Sequence, residues 1–184
     1  MDFDFLHAAD LHLGSPFLGL SSNDVDLAKR IASASREAFE DLVTQAIELR
    51  VRFLIIVGDI YDGDWKDTTI GHFFNRQMSR LDRAGIPAFV VSGNHDAESV
   101  ITGSITLPKK VKVFSARHVE TIQIPELHVA VHGQSFANRA VPENLALKYP
   151  AGLPGWFNIG MLHTSCTGRV GHASARHSPS GSRL

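Results

Sequence analysis

The sequence predicts an α/β fold, a layered β-sandwich flanked by helices (αββα), with the C-terminal part of that architecture missing. Three observations predict it. Strand-like and helix-like segments alternate through the first half of the chain, the early strands are continuous apolar runs, and the second half turns to shorter β segments. Residues 3–9 (Phe-Asp-Phe-Leu-His-Ala-Ala) read as a short buried strand that runs into Asp10-Leu11-His12 and a Gly14-Ser15-Pro16 turn. Over residues 24–50, Leu27, Ile31, Ala34, Ala38, Leu42, Ala46 and Leu49 recur at helical spacing behind a Ser21-Ser22-Asn23 capping stretch, which predicts a long amphipathic helix. Residues 51–57 (Val-Arg-Phe-Leu-Ile-Ile-Val) form the kind of β-branched run found in strands covered on both faces, and they end at Gly58-Asp59.

A second helix is expected over residues 67–84, with Ile70, Phe73, Phe74, Met78 and Leu81 on one side and Gly85 as its stop. The apolar run 86–91 then ends at Gly93-Asn94-His95-Asp96. Strand, helix, strand, helix, strand implies parallel strands whose loops gather at one sheet edge. Residues 111–114, 121–124, 128–132 and 157–162 are expected to build the second sheet, with a small helix at 142–148. A single domain over residues 1–167 follows. Residues 168–184, rich in Ser, Gly and Pro, are expected to form a low-complexity, disordered tail.

Composition narrows the class. With 43% hydrophobic and 20% charged residues, the 184-residue chain has enough apolar content for one packed core. No apolar stretch approaches the roughly 20 residues a membrane span needs, and the start Met1-Asp2-Phe3-Asp4 is acidic where a signal peptide is basic. A cytoplasmic protein is expected. The net charge of -1 provides no global pull toward nucleic acid. A lone cysteine, Cys166, excludes a thiolate metal cluster, so a metal here must take oxygen and imidazole ligands.

Such ligands stand at the ends of four predicted strands: Asp10-Leu11-His12, Gly58-Asp59-Ile60-Tyr61-Asp62, Gly93-Asn94-His95-Asp96 and Leu162-His163-Thr164. Each cluster alone reads as an ordinary turn, but four of them, each after an apolar strand, point to one shared pocket. Gly58 and Gly93 would let the chain turn sharply off its strands. His7 reads as a packed core histidine, and His72, His118, His128 and His132 carry no role. Cys166 reads as inert, and Lys109-Lys110-x-Lys112 as a solvated turn.

Asp-x-His, Gly-Asp-x-x-Asp, Gly-Asn-His-Asp and a strand-terminal His, over roughly residues 5 to 165, resemble the signature of calcineurin-like metallophosphoesterases. Within that superfamily, residues 7–17 and Leu162-His163-Thr164-Ser165 are similar to SbcD-like DNA repair exonucleases. The resemblance implies two divalent metal ions, manganese foremost with iron or zinc as alternatives. Asp10 and His12 would hold the first, Asp59 would bridge both, and Asn94 with His163 would hold the second. His95 would be the catalytic residue facing the scissile phosphate, with Asp62 and Asp96 orienting the ligands. The implied reaction is phosphoester hydrolysis by a hydroxide activated between two metals. The implied substrate is DNA, and the implied partners are an SbcC-like ATPase and a second copy in a homodimer. The family's further Gly-His-x-His motif is absent, since Gly171-His172 is followed by Ala173-Ser174. Two other readings stand beside the nuclease: a phosphatase or phosphodiesterase on a small or protein substrate, and an inactive truncated interaction module.

Overall fold

A computed structural model describes residues 2–15, 25–61, 68–98 and 106–164. Asp62, Cys166, His172, His177 and the expected tail at 168–184 lie outside the described residues. Among the described residues, seven strands and two long helices follow in the order β1 (Leu6–Ala9), α1 (Val25–Glu48), β2 (Leu54–Val57), α2 (Thr68–Arg83), β3 (Ala88–Val91), β4 (Val111–Val113), β5 (Glu120–Ile124), β6 (Val129–Gly133) and β7 (Phe157–Met161). Strands β1 to β4 form one all-parallel sheet in sequence order, with Leu6 opposite Leu54 and Leu54 opposite Ala88. The second sheet has the order β5-β6-β7, antiparallel between β5 and β6 and parallel between β6 and β7.

Strand alternation divides the apolar side chains between two cores. Leu54, Ile56, Ala88 and Val90 point to one face of the first sheet, where Phe39, Val43 and Ala46 of α1 and Phe74, Met78 and Leu81 of α2 cover them. Phe53, Ile55, Phe89 and Val91 point to the other face, against Val129, Val131 and Met161 of the second sheet. Helices, parallel sheet and second sheet thus form three layers among the described residues, and no helix there is long and apolar enough to cross a membrane.

Three expectations need correction. Residues 111–114 do not enter the second sheet: β4 pairs in parallel with β3, and Phe114 alone turns into the core between the sheets. The Val-Lys-Val alternation is that of an edge strand with one solvated side, which resembles the pattern of a half-covered second sheet. His7 is exposed rather than packed, because β1 is the outer strand of its sheet and its odd-numbered face is not fully covered. The expected helix at 142–148 is a single 3-10 turn, Leu145–Lys148, whose entry is capped by the Asn144 side chain accepting from the Ala146 N–H at 3.1 Å.

Candidate metal centre

Parallel pairing carries the C-terminal ends of β1, β2 and β3 to one edge, and the parallel β6–β7 pair brings the end of β7 beside them. Asp10, Asp59 and Asn94 leave the first three strands, and His163 follows the last. The backbone leaves its strands abruptly there. Asp10 (φ 52°), His12 (φ 42°) and Asp59 (φ 42°) all adopt left-handed conformations that non-glycine residues rarely take. Their hydrogen bonds hold the shape: the Asp10 N–H donates to the Gly58 carbonyl at 3.3 Å and the His12 N–H to the Asp59 carbonyl at 2.9 Å.

The two glycines act differently from each other. Gly58 has φ +72°, and a Cβ there would overlap the His163 imidazole, so the residue supplies both the turn and the space for that ring. Gly93 has no left-handed backbone; a Cβ on it would collide with the Asp59 carboxylate and backbone. Close approach, rather than a strained angle, is what position 93 requires.

Asp59 lies at the centre of the cluster and is buried. Its Oδ2 is 3.4 Å from His163 Nε2 and 4.0 Å from His12 Nε2, and its Oδ1 accepts from the His95 N–H at 3.1 Å. His163 Nε2 also lies 3.1 Å from Asn94 Oδ1, and its Nδ1 is 3.9 Å from Asp10 Oδ1. The His12 and His95 rings meet edge to face at 5.6 Å. The five residues expected to hold metal and the expected catalytic histidine therefore form one connected cluster. A tighter subset, Asp10, Asp59 and His163, presents one ligand atom each within 4.8 Å of the others.

Electrostatics follow from this crowding. Burial pushes the Asp59 carboxyl up, but the His163 hydrogen bond, the His95 N–H and the charge of both imidazoles outweigh it and hold Asp59 below its ordinary range. Reciprocally, the hydrogen bond to Asp59 raises the His163 imidazole against the opposing effect of burial, with the charges of Asp59, Asp10 and Asp96 adding to the rise. Asp96 is almost wholly buried, and its carboxylate ties two of the loops together. It accepts from the Tyr61 N–H at 2.9 Å and from the Gly93 N–H at 2.8 Å. Burial raises its carboxyl even so, and the neighbouring Asp59 charge adds to that.

Carboxylate oxygen, amide oxygen and imidazole nitrogen in one concave cluster are the donors that divalent transition ions take, so the residues present fit such an ion. A cleft of about 530 Å³ opens beside them, between β1 and β7, bordered by Asp10, His163 and Thr164 and further along by His7 and Ile159. Residues 3–154 match the model of the family described as calcineurin-like phosphoesterase. The chain belongs to the calcineurin-like phosphoesterase family.

Relatives sharpen the family membership. The chain is 32% identical over 174 residues to the uncharacterized metallophosphoesterase YhaO of Bacillus subtilis, covering 93% of this chain and 43% of that protein. It is 29% identical over 106 residues to the DNA double-strand break repair protein Mre11 of Sulfurisphaera tokodaii, covering 58% of this chain and 25% of the relative. It is 27% identical over 100 residues to a subunit of the nuclease SbcCD of Escherichia coli K12, covering 54% and 22%. The chain thus spans less than half the length of these relatives.

Sequence reasoning passed over one strand end. Gln134-Ser135-Phe136 follows β6 as the metal-type clusters follow their strands, and the Phe136 ring meets the His163 imidazole edge to face at 5.7 Å. The glycine closing β6 was the available signal. It carried no ligand-type side chain to draw notice.

Proposed function

We propose that this chain is a metal-dependent phosphoester hydrolase acting on DNA phosphodiester bonds, of the SbcD-like kind. Asp10, His12, Asp59, Asn94 and His163 would hold two divalent ions, manganese foremost. The observation that carries the reading is the buried Asp59 carboxylate, reached by His163 at 3.4 Å from beyond β7 and by His12 at 4.0 Å from beyond β1. Divalent ions held there would supply Lewis acidity toward a phosphoryl oxygen and toward water. The chain's own residues supply the rest. Asp59 and Asp10 concentrate negative charge where cations gather, and Asn94 offers its amide oxygen without further charge. His95, fixed through its N–H on Asp59 and set against His12, would donate a proton to the leaving oxygen. Asp96 would orient Asp59 and Asn94 through the loop backbones that it joins.

DNA as substrate is supported by two of the relatives, a DNA double-strand break repair protein and a component of a nuclease. The same resemblance supports an SbcC-like ATPase partner. A second reading, hydrolysis of a small phosphodiester, is favoured by the net charge of -1. The test is turnover of bis(p-nitrophenyl) phosphate and of linear DNA with manganese, for the full chain and for Asn94→Ala and His95→Ala. Hydrolysis of both substrates that falls at least tenfold in each variant is expected. Hydrolysis of the chromogenic diester alone selects the second reading, and turnover no greater than that of the variants overturns both.

A further inference from the structure

The geometry points to a second binding site next to the metal cluster: a cleft over the ends of β5 and β6 that takes one nucleotide unit of a strand whose phosphodiester lies at the cluster. The inference rests on the proposed polynucleotide substrate. The cleft has a volume of about 390 Å³ and is bordered by Arg117, Gln134, Asn138, Glu143, Leu145 and Lys148. That size lies within the range of sites for small organic ligands, roughly 300–1,000 Å³.

Three observations give it a ligand chemistry. Gln134 is only 3% exposed, and while its Nε2 donates to the Ala116 carbonyl at 3.3 Å, its Oε1 accepts no hydrogen bond from any described residue. A buried acceptor without a donor is costly to keep, and a turn of the Gln134 amide toward the cleft would offer that oxygen to a ligand N–H or O–H. The rim supplies cations. Arg117 is exposed, and Lys148 pairs with Glu143, so these three rim residues sum to one positive charge. The third observation is continuity with the metal cluster. Gln134, Ser135 and Ala137 border the cleft, while Phe136, between them in sequence, packs on His163. The Gln134 backbone is also tied to β7, because its N–H donates to the Tyr149 hydroxyl at 3.1 Å and that hydroxyl donates to the Met161 carbonyl. A nucleotide offers what this combination asks for, a phosphate for Arg117 and a base or sugar donor for the Gln134 oxygen.

The test is adenosine monophosphate titrated into the full chain in the presence of EDTA, followed by amide NMR, with Arg117→Glu as the variant. Arg117 is exposed on a loop, so the change does not touch either core. Saturable shifts at Arg117, Gln134 and Asn138, with affinity reduced about tenfold or more in the variant, are expected for a lost phosphate contact. Equal affinity in wild type and variant overturns the site. So does inorganic phosphate binding as tightly as the nucleotide, which would mark an anion site without nucleotide recognition. Because no metal is present, a hydrolytically dead cluster would leave this result unchanged, and an active nuclease with unaltered nucleotide binding in Arg117→Glu would sink the site alone.

Discussion

The two sheets differ in how completely they are covered, and the candidate centre draws on both. In the first sheet β3 is buried at every position and β2 at all but its last, with helices on one side and the second sheet on the other. In the second sheet only β6 is wholly buried. Strand β7, which leads to His163, keeps three of its five positions exposed, including Phe157 at 54%. Asp59 and Asn94 therefore hang from a well-packed platform, whereas Asp10 and His163 arrive on β1 and β7, strands with far less burial behind them. Stability and metal binding should separate along this line: changes in β2 and β3 unfold the chain, and changes around β7 and its neighbours weaken the centre first.

The sharpest way to break that comparison is to truncate one side chain on each sheet. Ile56→Ala removes a fully buried side chain between the first sheet and its helices and should cost about 2–5 kcal/mol in urea unfolding. Phe157→Ser, on the open strand, should stay within about 0.5 kcal/mol, as surface changes do. Similar losses from both would mean that β7 is covered as fully as β2.

Gly58→Ala comes next. The substitution places a methyl group against the His163 ring at a left-handed backbone position. It should cost on the order of 1–3 kcal/mol in stability and reduce manganese affinity at least tenfold by displacing His163. Gly93→Ala should do the same through Asp59. Affinity unchanged in both would separate the metal site from these loops.

A smaller effect lies in alkaline solution. Burial pushes the Tyr149 hydroxyl up to about 12, against the opposing effect of the Gln134 N–H. A group raised above its unfolded value of 10.0 contributes stability that is fully present below pH 10 and is lost as pH rises toward 12. Urea midpoints between pH 9 and 11.5 should therefore fall more steeply in wild type than in Tyr149→Phe. Parallel curves would exclude Tyr149 as a tie between Gln134 and β7. The smallest effect belongs to the Lys112–Glu120 pair, 3.0 Å apart, which joins the edge strands of the two sheets. Part-exposed as it is, a double-mutant cycle should assign it roughly 0.2–1 kcal/mol.

How much of this the sequence discloses depends on what each region buries. The runs Leu54–Val57 and Ala88–Val91 are apolar without interruption because both faces are covered, so their strands and the loops beyond them were legible from composition alone. The placement of Asp59, Asn94 and His95 at one sheet edge was legible for the same reason, as polar residues set abruptly after such runs, whereas Asp10 and His12 follow a strand interrupted by His7 and His163 follows one interrupted by Asn158. The placement of β4 was not legible, because an edge strand of a parallel sheet and a half-covered antiparallel strand share one alternating pattern. Nor was the exposure of His7, since an outer strand does not announce in its sequence which side lacks a neighbour. The cleft at Gln134 was hidden too: Arg117, Gln134 and Ser135 carry no motif, and only the turn after β6 brings them together.

The account rests on Asp10, Asp59 and His163 sharing a cation. Anomalous scattering from crystals soaked in manganese tests this most directly, because it reports position and element together. A peak bounded by those three side chains in wild type and absent in Asp59→Ala is the predicted result. No peak there at saturating manganese, or an undiminished one in the variant, would contradict it.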